Sequence, residues 1–193
     1  MAFDQEQDLE PNIDEKVKDI LGRMTLREKS ALLCGKDDWS TTPLEHLGIP
    51  SFVMTDGPYG VRTLEDGNRI ASPATSFPTG LSMASSWNTE LVEKIGAAIG
   101  EEARAVECDA ILGPCVNIVR HPITGRNFEC LSEDPYLAGK IAAAFIRGVQ
   151  SQNIGATIKH FACNNQEHER SRGSSVVDER TLREIYLTAF EIA

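Results

Sequence analysis

A chain of 193 residues with a formal net charge of −10 is long enough to bury a core and too acidic to hold nucleic acid by charge. The five cysteines, Cys34, Cys108, Cys115, Cys130 and Cys163, include no close CxxC pair of the zinc or redox type, and several stand in apolar contexts that favour small buried thiols in a reducing compartment.

The N-terminus is acidic and lacks the basic and apolar regions of a signal peptide, and no apolar run reaches membrane-spanning length. A cytoplasmic protein without membrane or nucleic-acid partners is expected. Residues 1–11 read as a polar lead and residues 12–193 as one domain. Ile13, Val17, Ile20, Leu21 and Met24 recur at helical spacing. Thr25 to Glu28 forms a capping box for a second helix, with Leu26 and Leu33 expected to face inward. Ile49 to Met54 reads as the first strand, with Asp56 just past its end. From Thr63 to Trp87 Gly, Pro, Ser and Thr dominate, which predicts a long loop.

Asn88 caps the next helix, whose inner stripe is expected at Leu91, Ile95, Ala98, Ile99 and Ala103. Cys108 to Leu112 returns as a strand. After a second long loop, Asp134 and Pro135 are an N-cap and a first-turn proline for a helix through Leu137, Ile141, Phe145 and Val149. Ile154 to Ile158 is the third strand, closed by Lys159 and His160. Asp178 opens a last helix with Leu182, Ile185, Tyr186, Ala189 and Phe190 on one face. Alternating strands and helices define an α/β fold with a parallel sheet.

Three polar clusters follow the strands. Asp56, in the sequence Met54 to Arg62, can accept two hydrogen bonds from vicinal hydroxyls, or form a turn and a surface pair with Arg62. Lys159 and His160 can both donate to sugar hydroxyls, or serve as a solvated lysine and a structural histidine. Arg126, in Gly125 to Glu129, suits hydroxyl pairs or a loop-organising salt bridge to Glu129 or Glu133. The four histidines, His46, His121, His160 and His168, share no metal-ligand spacing, so no metal site is expected.

With these three clusters in this order, the chain resembles the N-terminal domain of family 3 glycoside hydrolases, the β-glucosidase group. The resemblance implies a partial (β/α)8 TIM-barrel, since a complete one takes roughly 250 residues and eight strands. It implies that Asp56, Arg62, Arg126, Lys159 and His160 hold the non-reducing sugar, with Arg170 near the same subsite, and that no cofactor is required. Ala162 to Asn165 stands where an N-acetylhexosaminide branch carries Pro-Gly-His, which favours the β-glucosidase and β-xylosidase branch.

Glycoside hydrolysis requires two flanking carboxyl groups. In the family the nucleophilic Asp lies on a later barrel strand and the acid/base Glu comes from a following domain, so no catalytic residue is assigned here. Asp37, Asp38 and Trp39 include an Asp-Trp pair similar to that of the family nucleophile, but they precede the first strand and read as loop. The expected partner is a β-glucoside or related oligosaccharide. The chain alone is expected to be inactive, as part of a longer exo-β-glycosidase or as a non-catalytic carbohydrate-binding or assembly fragment with a complementing chain.

Overall fold

The computed structural model describes residues 13–62 and 73–193, so the expected polar lead and the start of the expected long loop lie outside the described residues. Two compact units divide at Phe52 and Val53.

In the first unit, α1 (Ile13–Arg23) and α2 (Leu26–Cys34) are separated by the capping box. Thr25 accepts from the Glu28 N–H at 3.3 Å, while the Glu28 carboxylate accepts from the Thr25 N–H at 2.7 Å. Met24 and Leu44 are buried. Leu26 and Leu33 are not: they are 81% and 89% exposed, and the part-buried side of α2 is Glu28, Ala31 and Leu32. The apolar spacing thus chose the wrong face of α2, since the stripe through Leu26 and Leu33 lies at the surface among the described residues. Asp37 accepts from the Trp39 N–H and the Ser40 hydroxyl, so the Asp-Trp pair closes a local turn. Cys34 is exposed, against the expectation of buried thiols, whereas Cys115 and Cys130 of the second unit are buried.

The second unit holds a parallel sheet in the order β1 (Met54–Asp56), β2 (Ala110–Leu112), β3 (Gly155–Ala156). The strands are shorter than expected, and Asp56 is the last residue of β1, not a residue beyond it. A side chain starts the β1–β2 ladder: the Asp109 carboxylate accepts from the Val53 N–H at 2.7 Å. Ala110 faces Gly155, but Cys115 faces Lys159, so β2 gains one residue over β3 across Gly113 and Pro114. This one-residue bulge re-aims the chain where the site is built.

Helices α3 (Gly80–Ser85) and α4 (Thr89–Ala105) connect β1 to β2, and α5 (Pro135–Gln150) connects β2 to β3. α3 replaces part of the expected loop: Thr79 caps it and Met83 and Ala84 are buried, in a turn too short to leave a periodic signal. Asn88 and Asp134 cap as expected, and Ile141, Phe145 and Val149 are buried. The inner face of α4 is rotated from the expected stripe to Val92, Gly96, Ile99, Gly100 and Ala103, and Leu91 is exposed. The reason is close backbone packing on α5. A Cβ at Gly96 would overlap the Phe145 carbonyl, and one at Gly148 would overlap the Glu93 carbonyl. Counting only large apolar residues therefore misplaced the contact face.

The last helical segment begins at α6 (Glu179–Thr181), capped by Asp178, passes through a π-helical turn (Leu182–Tyr186), and ends as α7 (Thr188–Ile192). Tyr186 and Ala189 of the expected face are buried, whereas Ile185 is exposed. Among the described residues no helix is long and apolar enough to cross a membrane. Gly148→Ala is expected to cost about 1–3 kcal/mol through overpacking. Gly22→Ala, with open space around its Cβ, is expected to gain about 0.5–1 kcal/mol. Urea unfolding midpoints of the two variants check this pair.

Candidate functional site

Asp56, Lys159, Glu129, Arg126 and His160 form one connected polar cluster at the C-terminal ends of the strands. Asp56 comes from the end of β1, Lys159 and His160 follow β3, and Arg126 precedes and Glu129 ends a 3-10 turn (Asn127–Glu129) in the loop after β2. Lys159 Nζ donates to Asp56 Oδ1 at 2.8 Å and lies 3.3 Å from Glu129 Oε2. Glu129 Oε1 accepts from Arg126 Nε. Arg126 Nη2 meets His160 Nε2 at 2.8 Å, and Arg126 Nη1 pairs with Glu167 at 3.5 Å.

Three of the guanidinium's five N–H groups are thus engaged, leaving two for a ligand. Arg62 lies 3.7 Å from the other Asp56 oxygen. Arg170 is not in the cluster itself. It is exposed and reaches the cluster only through Glu167, at 3.4 Å. Lys159 and Glu129 are 11% and 6% exposed at their side chains, so both charges are largely withdrawn from water and compensate one another.

Burial, the largest single influence on the Asp56 carboxyl, pushes its pKa up. The Lys159 hydrogen bond and charge, the Arg62 charge and the Gly57 N–H together outweigh it and hold the carboxyl below the usual carboxylate range. Asp56 is therefore a stable anion: an acceptor of hydrogen bonds, unsuited to donate a proton near neutrality.

Asn117 was not singled out from the sequence, yet it is buried against the site and bonds His160 three times. Its Oδ1 accepts from the His160 N–H at 3.0 Å and faces His160 Nδ1 at 2.7 Å, while its Nδ2 donates to the His160 carbonyl at 3.1 Å. Its place in the segment from Gly113 to Arg120 carried no chemical signal. Glu129, expected to be structural, clamps both cations. Below it Cys115 Sγ and Cys130 Sγ lie 3.2 Å apart. The Cys130 hydrogen bond pulls the Cys115 thiol down against burial, and the same contact together with burial pushes Cys130 up, so the two thiols titrate as a pair. Among the described residues no three His, Cys, Asp or Glu side chains converge as a metal site.

A parallel sheet flanked by helices, with ionised side chains gathered at its C-terminal strand ends, is the N-terminal portion of a (β/α)8 barrel. The chain belongs to glycoside hydrolase family 3: the family profile described as "Glycosyl hydrolase family 3 N terminal domain" matches residues 23–193. It is 54% identical over 182 residues to thermostable beta-glucosidase B of Acetivibrio thermocellus, covering 92% of this chain and 24% of that protein. It is 47% identical over 181 residues to an exo-alpha-(1->6)-L-arabinopyranosidase of Bifidobacterium longum, covering 91% and 23%. Among solved structures, beta-glucosidase 3B from Thermotoga neapolitana in complex with alpha-D-glucose superposes with a TM-score of 0.84 at 44% identity, covering 92% of this chain and 27% of that one. The chain spans about a quarter of the length of the curated relatives it matches.

Because the folded Asp56 pKa lies below its unfolded value, the group's stabilisation is complete above the unfolded value. It is lost as pH falls through the folded one. Asp56→Asn is therefore expected to lower stability at neutral pH and to flatten the acid limb of the profile below about pH 4. Urea midpoints of both proteins between about pH 3 and 7 read this out.

Proposed function

We propose that this chain is the sugar-holding part of a retaining exo-β-glycosidase of the β-glucosidase kind, acting on terminal non-reducing β-D-glucosyl or xylosyl residues. The observation that carries the reading is the Asp56–Lys159–Glu129–Arg126–His160 cluster at the strand ends. A pyranose ring presents adjacent hydroxyls, each able to donate once and accept twice. Asp56 accepts from such a pair, Lys159 and the two uncommitted N–H groups of Arg126 donate, and His160 completes the rim. Arg62 holds Asp56, and Arg170 stands at the margin through Glu167. These bonds orient the sugar and strengthen as charge develops at the reacting carbon. Neither a metal nor another cofactor enters this scheme.

The cluster's two innermost carboxylates are committed. Asp56 is held as an anion by cations, and Glu129 is shared between Lys159 and Arg126. Neither suits the roles of nucleophile and acid, which a retaining enzyme places about 5 Å apart across the bond. The catalytic pair then comes from outside this chain, which alone is inactive.

A second reading, a carbohydrate-binding or assembly fragment completed by another chain, is favoured by the uncovered Leu26 and Leu33. Calorimetric titration with D-glucose is expected to give saturable binding that Asp56→Ala weakens about 10- to 100-fold, the worth of a charged hydrogen bond. An aryl β-glucoside is expected to remain intact. Turnover that survives rigorous removal of host glycosidases would overturn the inactivity. Activity restored by adding the remaining portion of a family 3 relative would select the assembly reading.

A further inference from the structure

We infer that Asn117 is a positioning residue that fixes the tautomer of His160, so that His160 presents an acceptor to the sugar while Lys159 and Arg126 present donors. The inference rests on the sugar-binding reading above and adds the direction of each hydrogen bond. The orientation of the Asn117 amide follows from the His160 backbone, whose N–H can only donate and whose carbonyl can only accept. The first meets Asn117 Oδ1 at 3.0 Å and the second meets Nδ2 at 3.1 Å, so the amide has one possible sense. That sense leaves Oδ1, an acceptor, 2.7 Å from His160 Nδ1, which must then carry the hydrogen.

The other ring nitrogen gives the same answer independently. His160 Nε2 lies 2.8 Å from Arg126 Nη2, and a guanidinium offers donors only. A hydrogen on Nε2 would oppose a donor to a donor. Nε2 therefore bears a lone pair, and both ends of the ring agree on one tautomer. Cys115 Sγ also approaches Asn117 Oδ1, at 3.5 Å, and His160 Nδ1, at 3.9 Å; both contacts are longer than the Asn117–His160 bond and compatible with this assignment.

The lone pair accepts from Arg126 Nη2. A sugar hydroxyl that takes over this lone pair displaces the Arg126 hydrogen bond, donates to His160 Nε2 and accepts from the guanidinium N–H it has released, which uses both of its capacities at once. A deoxyfluoro sugar retains only the acceptor, so His160 discriminates a hydroxyl from its fluorine replacement.

The test is a long-range proton–nitrogen NMR correlation on the full chain, recorded well above the ordinary imidazole pKa of about 6.5. His160 Nδ1 is expected to resonate as a protonated nitrogen and Nε2 as a bare one. Arg126→Leu is expected to leave the tautomer in place; on that background, where Asn117 alone constrains the ring, adding Asn117→Leu is expected to mix the tautomers and adding Asn117→Asp, which keeps the acceptor, to preserve the native one. A protonated Nε2 in the wild type, or the native tautomer kept when Asn117→Leu is added to Arg126→Leu, would overturn the inference. If the double variant does not fold, loss of the tautomer in Arg126→Leu alone overturns it, because Arg126 would then be the determinant.

Wild type is also expected to lose about 3- to 10-fold in affinity for one monofluorinated glucose, and Asn117→Leu to lose that discrimination. Discrimination unchanged in Asn117→Leu would overturn the role toward ligand. Absence of glucose binding in every variant would instead overturn the sugar-binding reading, while the nitrogen spectra still decide the role of Asn117.

Discussion

The buried Glu129 carboxylate is the constraint on which the site depends. A charge withdrawn from water to this degree is strongly unfavourable unless cations and hydrogen bonds replace its hydration. Lys159 and Arg126 do so from two different loops, one oxygen each. Their positions are therefore set by an anion that faces the protein, and they present their remaining hydrogens outward. The turn that carries Glu129 is braced in its own right: Gly80 at the start of α3 packs so closely that a Cβ would come within 2.5 Å of the Cys130 carbonyl and 2.7 Å of the Glu129 carbonyl. Backbone packing, a buried carboxylate and two cations form one chain of cause, and Asp56 and His160 are attached to its ends.

Much of this was legible in the sequence for identifiable reasons. Helix starts at Thr25, Asn88, Asp134 and Asp178 were readable because a capping side chain acts on backbone groups two or three residues away. The parallel α/β class followed from alternation, and five of the six candidate residues lie in or beside one cluster because each ends a strand, follows one or stands in the loop after one. Features set by contacts far along the chain were less legible. The close α4–α5 approach turns on Gly96 and Gly148, residues that a hydrophobic pattern ignores. The strand lengths turn on an Asp109 side chain that substitutes for part of a ladder. Asn117 looked like one polar residue in an apolar loop, and only its separation of 43 positions from His160, closed by the β2–β3 pairing, gives it a task.

The one-residue bulge at Gly113 and Pro114 ties these observations together. With an uninterrupted register, Ala110 opposite Gly155 would put Pro114 opposite Lys159; instead Cys115 takes that place. In a strand a shift by one residue exchanges the two faces. The bulge therefore decides which side chains after β2 meet the Lys159–His160 pair, and it brings Asn117 onto the His160 backbone. A local irregularity in hydrogen bonding between strands is thus converted into the side-chain geometry of the site.

Within that geometry, donors and acceptors are arranged in alternation: Asp56 accepts, Lys159 and Arg126 donate, and His160, by the tautomer its neighbours require, accepts again. A surface of cations alone would favour anions, and one of carboxylates alone would favour cations or amines. An alternating set held rigid by internal ion pairs favours neutral groups that both give and receive hydrogen bonds, the property that distinguishes a polyol from either ion. The internal ion pairs also limit what the same residues can do. A carboxylate kept ionised by adjacent cations cannot protonate a leaving group, and one shared between two cations is a poor nucleophile. The interactions that preorganise the cluster for recognition are thus the ones that withhold it from chemistry, which is why binding and catalysis fall to different parts of the sequence in this reading.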